Sequence, residues 1–167
     1  MNYDMETTKT KRLPIVSMIA LDAVLLTLAC LVPATSHLLA APLYMLNPML
    51  ALLLAGILLG RDWRNALVLA VLLPLVSCLL TGMPAVGKMV CMMAELATMA
   101  GLFHMLSRRW AVVPAVLTAI VAGKAVYYIL KAIILAPAVL VGTAWWIQLA
   151  TVIVWGGIFA LLYRKSR

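Results

Sequence analysis

Six stretches of this chain, roughly 14–32, 41–60, 65–81, 88–107, 111–134 and 143–163, are apolar and nearly free of charge, and the connections between them are short. A helix that crosses a bilayer needs about 20 mostly apolar residues, because its backbone must satisfy its own hydrogen bonds where no water is present. Each stretch meets that length. The composition agrees: 66% of the 167 residues are hydrophobic and 11% are charged, against about 25% charged in a soluble domain. The expected fold is an all-α integral membrane protein, a six-transmembrane-helix bundle. It forms one transmembrane domain over residues 1–167, with a short cytoplasmic N-terminal arm at 1–12.

The basic residues fix an orientation. RDWR (61–64) and SRRW (107–110) are basic, as are the arm (Lys9, Lys11, Arg12) and the tail (Arg164, Lys165, Arg167). PATSHLLAA (33–41), TGMPAVG (81–87) and APAVLVGT (136–143) carry no lysine or arginine. Placing every basic connection in the cytoplasm puts both termini inside, which requires an even number of spans. Trp63, Trp110 and Tyr163 then fall at the inner interface, Trp145 and Trp146 at the outer. Orientation accounts for the net charge of +8, so no nucleic-acid partner is inferred. The first stretch follows TKTKR as a signal peptide would. It is longer than the usual 7–15-residue apolar core and contains Asp22, and it is read as a retained helix.

Several polar residues lie inside the apolar stretches. In VAGKAVYYILKAIIL (121–135), Lys124, Tyr127, Tyr128 and Lys131 recur at i, i+3, i+4 and i+7 and share one helical face. A lysine near the bilayer centre costs at least ~2.5–3.5 kcal/mol and is a functional marker there. Lys131 lies about 6 Å from the outer end of its helix and Lys124 about 16 Å from it. Lys131 is within reach of the interface by snorkelling; Lys124 is too deep and should face the interior. The fourth helix carries Lys88, Cys91, Met92, Glu95, Thr98 and Met99 on one face. Glu95 sits at nearly the depth of Lys124 and is its obvious partner, either as a purely structural tie or as part of a site. The sixth helix contributes Trp145, Gln148, Val152 and Trp155; the second contributes Tyr44 and Asn47, with Pro48 disturbing the helix just after its start. Taken singly, Tyr44 suits an interface anchor and Gln148 an interhelical hydrogen bond. Together these groups define a polar, aromatic-lined pocket in the outer half. The expected substrate-binding residues are Tyr44, Asn47, Lys88, Met92, Glu95, Lys124, Tyr127, Tyr128, Lys131, Gln148 and Trp155. Three lysines against one glutamate favour an anionic ligand group. His104 is read as interfacial.

On the first helix Ser17, Ala20, Ala23, Thr27 and Cys30 are all small and recur every three or four residues. Such a stripe lets another helix approach closely, either inside this bundle or from a partner. Asp22 lies on a different face and is expected to point into the bundle.

No GxxxxGK[ST] loop is present, so the chain does not hydrolyse nucleotide to drive transport. Neither HExxH nor a Cys/His cluster marks a metal site. Cys30, Cys78 and Cys91 are spaced for packing rather than for disulfides. Ser77 lacks the GxSxG context of a hydrolase nucleophile. No catalytic residues, cofactor or metal are expected, and the chain is not read as an enzyme.

The arrangement resembles a known family. Six short helices, no ATPase motif and a small-residue stripe on the first helix are similar to an S component of an energy-coupling factor (ECF) transporter. PLYMLNPMLALLLAGILLG (42–60) and LPLVSCLLTGMPAVGKMVCMMAEL (73–96) are similar to that family's second-to-fourth-helix region. The resemblance implies a multi-pass protein of the bacterial cytoplasmic membrane that captures a vitamin or similar micronutrient from outside. It implies as partners a membrane T component and two cytoplasmic ATPase subunits, onto which the S component docks through an AxxxA motif of its first helix. Strict AxxxA spacing is missing here, and Ser17, Ala20, Ala23 and Thr27 stand in for it. In the family the first outer loop, here PATSHLLAAP, often lids the pocket. Nickel and cobalt members carry a histidine after the initiator methionine; Asn2 stands there in this chain. The alternatives are a self-contained proton-coupled carrier using Glu95, Asp22 and Lys124, and a small membrane enzyme.

Overall fold

The structure, a computed structural model, describes residues 14–38, 43–135 and 145–165. The arm 1–12, the end of the first outer connection at 39–42 and the outer connection 136–143 lie outside the described residues, as does the side chain of Tyr44. The described residues form six α-helices: α1 Ile15–Leu38, α2 Pro48–Gly60, α3 Trp63–Thr81, α4 Val86–Leu106, α5 Val112–Leu135 and α6 Trp145–Lys165. No strand occurs among the described residues. Five helices, all but α2, are long and apolar enough to cross a membrane.

α2 departs from the expectation of one helix over 41–60. Leu43–Leu46 form a 3₁₀ turn, Asn47 is left-handed at φ 51°, and the α-helix begins only at Pro48. The cause is local. The residue before a proline is pushed out of the α region, and asparagine tolerates the left-handed one. Proline then starts a helix well, since its missing N–H would be unpaired there anyway. The helix that remains is about 20 Å long. It contacts α1, α3, α4 and α6 and buries Met49, Leu50, Leu53, Leu54, Gly56 and Ile57. Being apolar on every side, it suits the middle of the bundle.

α1 also differs from its expected end at residue 32. It continues through Pro33 to Leu38, so residues 33–38 of the anticipated outer loop are helical. A proline inside a helix frees the carbonyl four residues earlier, which here is Ala29. That carbonyl is met by the hydroxyl of Ser77 on α3, at 3.5 Å. The same hydroxyl lies 2.8 Å from the Met83 carbonyl, and Ser77 is fully buried. The hydroxyl has one proton to donate, and the shorter contact is the one to Met83.

The turn between α2 and α3 is two residues long. Arg61 ends α2 in a left-handed conformation, its N–H donating to the Ile57 carbonyl at 3.3 Å. Asp62 caps α3 by accepting from the Arg64 N–H at 3.0 Å. At the other end of α3, Gly82 takes φ 70° and its N–H donates to the Cys78 carbonyl; a side chain at that φ would be strained. α3 packs on α4, α4 on α5 and α5 on α6, and large apolar side chains such as Ile19, Leu79, Ile133 and Leu161 cover the outside. In a bilayer that exterior is solvated by lipid.

Candidate ligand site

α4 and α5 approach closely because Gly123 has no side chain. A Cβ at that position would lie 2.8 Å from the Glu95 carbonyl oxygen and 3.3 Å from the Met99 Cβ. One residue further on, Lys124 reaches back to α4, and its Nζ sits 2.6 Å from Glu95 Oε1. The pair is buried, with side-chain exposures of 17% for Lys124 and 6% for Glu95. Oε1 makes no aligned hydrogen bond, so the contact is a charge pair rather than a directed bond. By helical rise Glu95 lies about 16 Å from the Leu106 end of α4 and Lys124 about 18 Å from the Val112 end of α5. The expected depth match and pairing are therefore observed.

The aromatic groups assemble on the same side. Lys124 Nζ stands 5.5 Å from the centroid of the Tyr127 ring, within cation–π range. Tyr127 meets Tyr128 edge to face, with centroids 5.4 Å apart and planes at 81°. The Tyr128 hydroxyl and the Gln148 amide are hydrogen-bond partners, which brings α6 into the group. Lys131 is buried at 8% exposure. Lys88 is exposed, yet close enough to Lys124, Lys131 and Glu95 to interact with their charges. Met92 packs against the apolar core, and Cys91 beside it is fully buried.

Trp155 and Asn47 form the next layer. Trp155 Nε1 donates to the Leu46 carbonyl at 2.7 Å, tying α6 to the 3₁₀ turn before α2. Trp155 also packs on the core. Asn47 Nδ2 is buried without a hydrogen-bond partner. Trp155 is about 15 Å from the inner end of α6 and Pro48 about 18 Å from that of α2. The break in α2 thus falls at the level of the Glu95–Lys124 pair. Backbone that is not helical at such a depth must be buried in protein or face a cavity.

On α1, Ser17, Ala20, Ala23 and Thr27 are all exposed, and the Thr27 hydroxyl donates to the Ala23 carbonyl at 2.8 Å. Asp22 points into the bundle as expected, accepting from Asn65 Nδ2 of α3 at 2.8 Å. Asn65, Ser77 and Gly123 escaped the sequence reading. Gly123 precedes Lys124 in AGKA, where a glycine inside a helix is a signal of close approach.

The end of the bundle at the α2–α3 turn holds a feature with no counterpart in the expectations. A cavity of about 120 Å³ is lined by Arg61, Asp62, Trp63, His104, Ser107 and Tyr163, among others. His104 stacks on Trp63 with centroids 4.8 Å apart and planes at 16°. Its Nε2 is 2.9 Å from an Arg108 guanidinium nitrogen. No group of three or more His, Cys, Asp or Glu that could hold a metal occurs among the described residues.

Fold and site together define a multi-pass helical membrane protein with a charged, aromatic cluster inside the bundle. Set against family models, curated proteins and solved structures, the chain gives no match.

Proposed function

We propose that the chain is the substrate-capture subunit of an ECF-type importer in the bacterial cytoplasmic membrane. It binds a vitamin-like micronutrient from outside in the outer half of the bundle. It then delivers the ligand inward after docking on a T component driven by two separate ATPases. The observation that carries this reading is the buried Glu95–Lys124 pair with Tyr127, Tyr128 and Gln148 around it. Ionisable groups kept inside a membrane bundle are costly, and where they persist they mark ligand or ion sites. The bare small-residue face of α1 supports the docking half of the proposal, since small residues allow a partner helix to approach. Both termini are cytoplasmic in this reading.

The test begins with native mass spectrometry of the purified protein to identify a co-purified small molecule. Uptake of that molecule by cells should then require this chain, a T component and active ATPases. Uptake that persists without the ATPases excludes the importer. A second reading, a self-contained proton-coupled carrier, has one observation in its favour. The inner cavity and the Glu95–Lys124 cluster lie at two levels of one bundle, as sites along a path would. It requires uptake into proteoliposomes driven by a pH gradient alone.

A further inference from the structure

The cavity at the α2–α3 turn is walled by three helix ends: the turn itself with Arg61, the last turn of α4 with His104 and the last turn of α6 with Tyr163. Part of the wall is apolar and buried, formed by Ala66, Ala100 and Phe103. Another part reaches the surface, since Arg61 is exposed and Trp63 is 40% exposed. Trp63 also opens one of the candidate spans, and tryptophan at the end of a span sits at headgroup level.

Cations crowd this end of the bundle. Arg61, Arg64, Arg108, Arg109, Arg164 and Lys165 are all exposed there. The acids near them among the described residues are Asp62, which caps α3, and Asp22, which is bonded to Asn65. Six cations against two acids leave this end four charges positive. Orientation in a membrane is served by lysine as well as by arginine, yet five of the six are arginines, whose planar fork matches phosphate. Two of them are anchored at the cavity. The Arg64 guanidinium carbon lies 5.9 Å from the centroid of the Trp63 ring. The Arg108 guanidinium donates to His104 Nε2 at 2.9 Å, a contact that uses one of its five N–H groups. Because Trp63 and His104 are stacked on each other, both guanidinium groups hold to one pair of rings in the cavity wall. Met105 and Leu162, next in the chain to His104 and Tyr163, are apolar and exposed, a surface that acyl chains can follow.

We propose that this cavity and its arginines bind the headgroup of an anionic phospholipid, with Arg61, Arg64 and Arg108 on the phosphate and the acyl chains along α4 and α6. Basic pockets between membrane helices suit such headgroups. The excess of positive charge favours a lipid that keeps its negative charge over one whose phosphate is offset by its own ammonium group. The site is separate from the Glu95–Lys124 cluster and does not depend on what that cluster binds.

The test uses the full chain, purified in a neutral detergent, delipidated and titrated in ammonium acetate of about 0.15 M ionic strength, where exposed charges more than about 8 Å apart are largely screened. Native mass spectrometry reads the bound probe, and thermal unfolding checks that each variant folds. The probes are dioleoyl phosphatidylglycerol, dioleoyl phosphatidylcholine and glycerol phosphate, the first headgroup without its chains. Phosphatidylglycerol should bind about tenfold or more tighter than phosphatidylcholine. Arg64→Gln with Arg108→Gln should erase that preference; both residues are exposed, so folding is little affected. Arg109→Gln with Lys165→Gln removes as much charge from residues that do not line the cavity and should retain it. Ser107→Trp fills the cavity without changing charge and should erase it. Equal losses in the two double variants, or a preference that survives Ser107→Trp, reveal diffuse attraction to a charged end and overturn the site. Equal binding of the two lipids overturns it as well. Glycerol phosphate that binds as tightly as the lipid makes the occupant a soluble phosphate and overturns the lipid assignment. If Ser107→Trp does not fold, the two double variants decide.

Discussion

α1 and the α4–α5 pair solve opposite problems with similar small residues. Along α1, 11% of the most apolar stretch is buried inside the protein; along α4 and α5 the figure is 33% each. On α1 the small residues Ser17, Ala20, Ala23 and Thr27 are exposed. On α5 the small residue Gly123 faces inward, where the Glu95 carbonyl leaves no room for a methyl group. Smallness at Gly123 serves this fold. Ala23 is exposed, where a small side chain leaves room for another helix to approach. Size alone therefore does not say what a small residue in a membrane helix is for; the direction it faces does.

Five substitutions, one of them used only in a double variant, probe that contrast, in order of decreasing effect on stability. Lys124→Met removes one partner of the buried pair and strands a carboxylate, which should cost about 3–5 kcal/mol in reversible unfolding. Adding Glu95→Gln should restore most of it. If the double variant recovers folding but not ligand binding, the pair belongs to the pocket; if both recover, it is structural. Gly123→Ala forces the α4 and α5 backbones apart and should cost about 1–3 kcal/mol, with accelerated hydrogen exchange confined to those two helices. An unchanged midpoint would show that the close approach is not tight. Ser77→Ala removes the hydroxyl that donates to the Met83 carbonyl and lies near the freed Ala29 carbonyl, and should cost about 1–2 kcal/mol. Ala23→Trp should change the stability of the isolated protein by no more than about 0.5 kcal/mol and leave ligand binding intact, while abolishing uptake in cells. Loss of binding together with uptake would place Ala23 inside the fold and erase the contrast.

The same contrast shows what the sequence reveals. Helix positions were legible wherever an uncharged run was bounded by charge or glycine, as for α3 between Asp62 and Gly82. The Glu95–Lys124 contact was legible too, because depth follows from residue count and only one acid lies at the right level. Both misplaced boundaries involve proline. Pro33 reads as an end, and α1 runs through it, with a serine 44 positions further along the chain lying 3.5 Å from the freed carbonyl. Pro48 reads as a disturbance near a helix start, and it is the start. Gly123, Asn65 and the Trp63–His104 stack were not legible, since each depends on how neighbouring helices are rotated about their axes. A hydrophobic pattern in lipid constrains that rotation weakly, for lipid tails are as apolar as the core.

The break before α2 bears on how the protein is made. As a nascent segment, residues 42–60 form one uncharged apolar run, long enough to enter the bilayer as a continuous span. The finished shape is different: the run is divided at Asn47, and the Leu46 carbonyl is held by Trp155 of the last helix, 109 positions later in the chain. That partner does not exist when the second span leaves the ribosome. Insertion and completion are therefore separate events for this segment, in keeping with helices that first enter lipid and then associate. The half of the bundle that holds the lysines acquires its final form only when synthesis has reached α6. A chain stopped after α5 would be correctly threaded through the membrane and still lack its site.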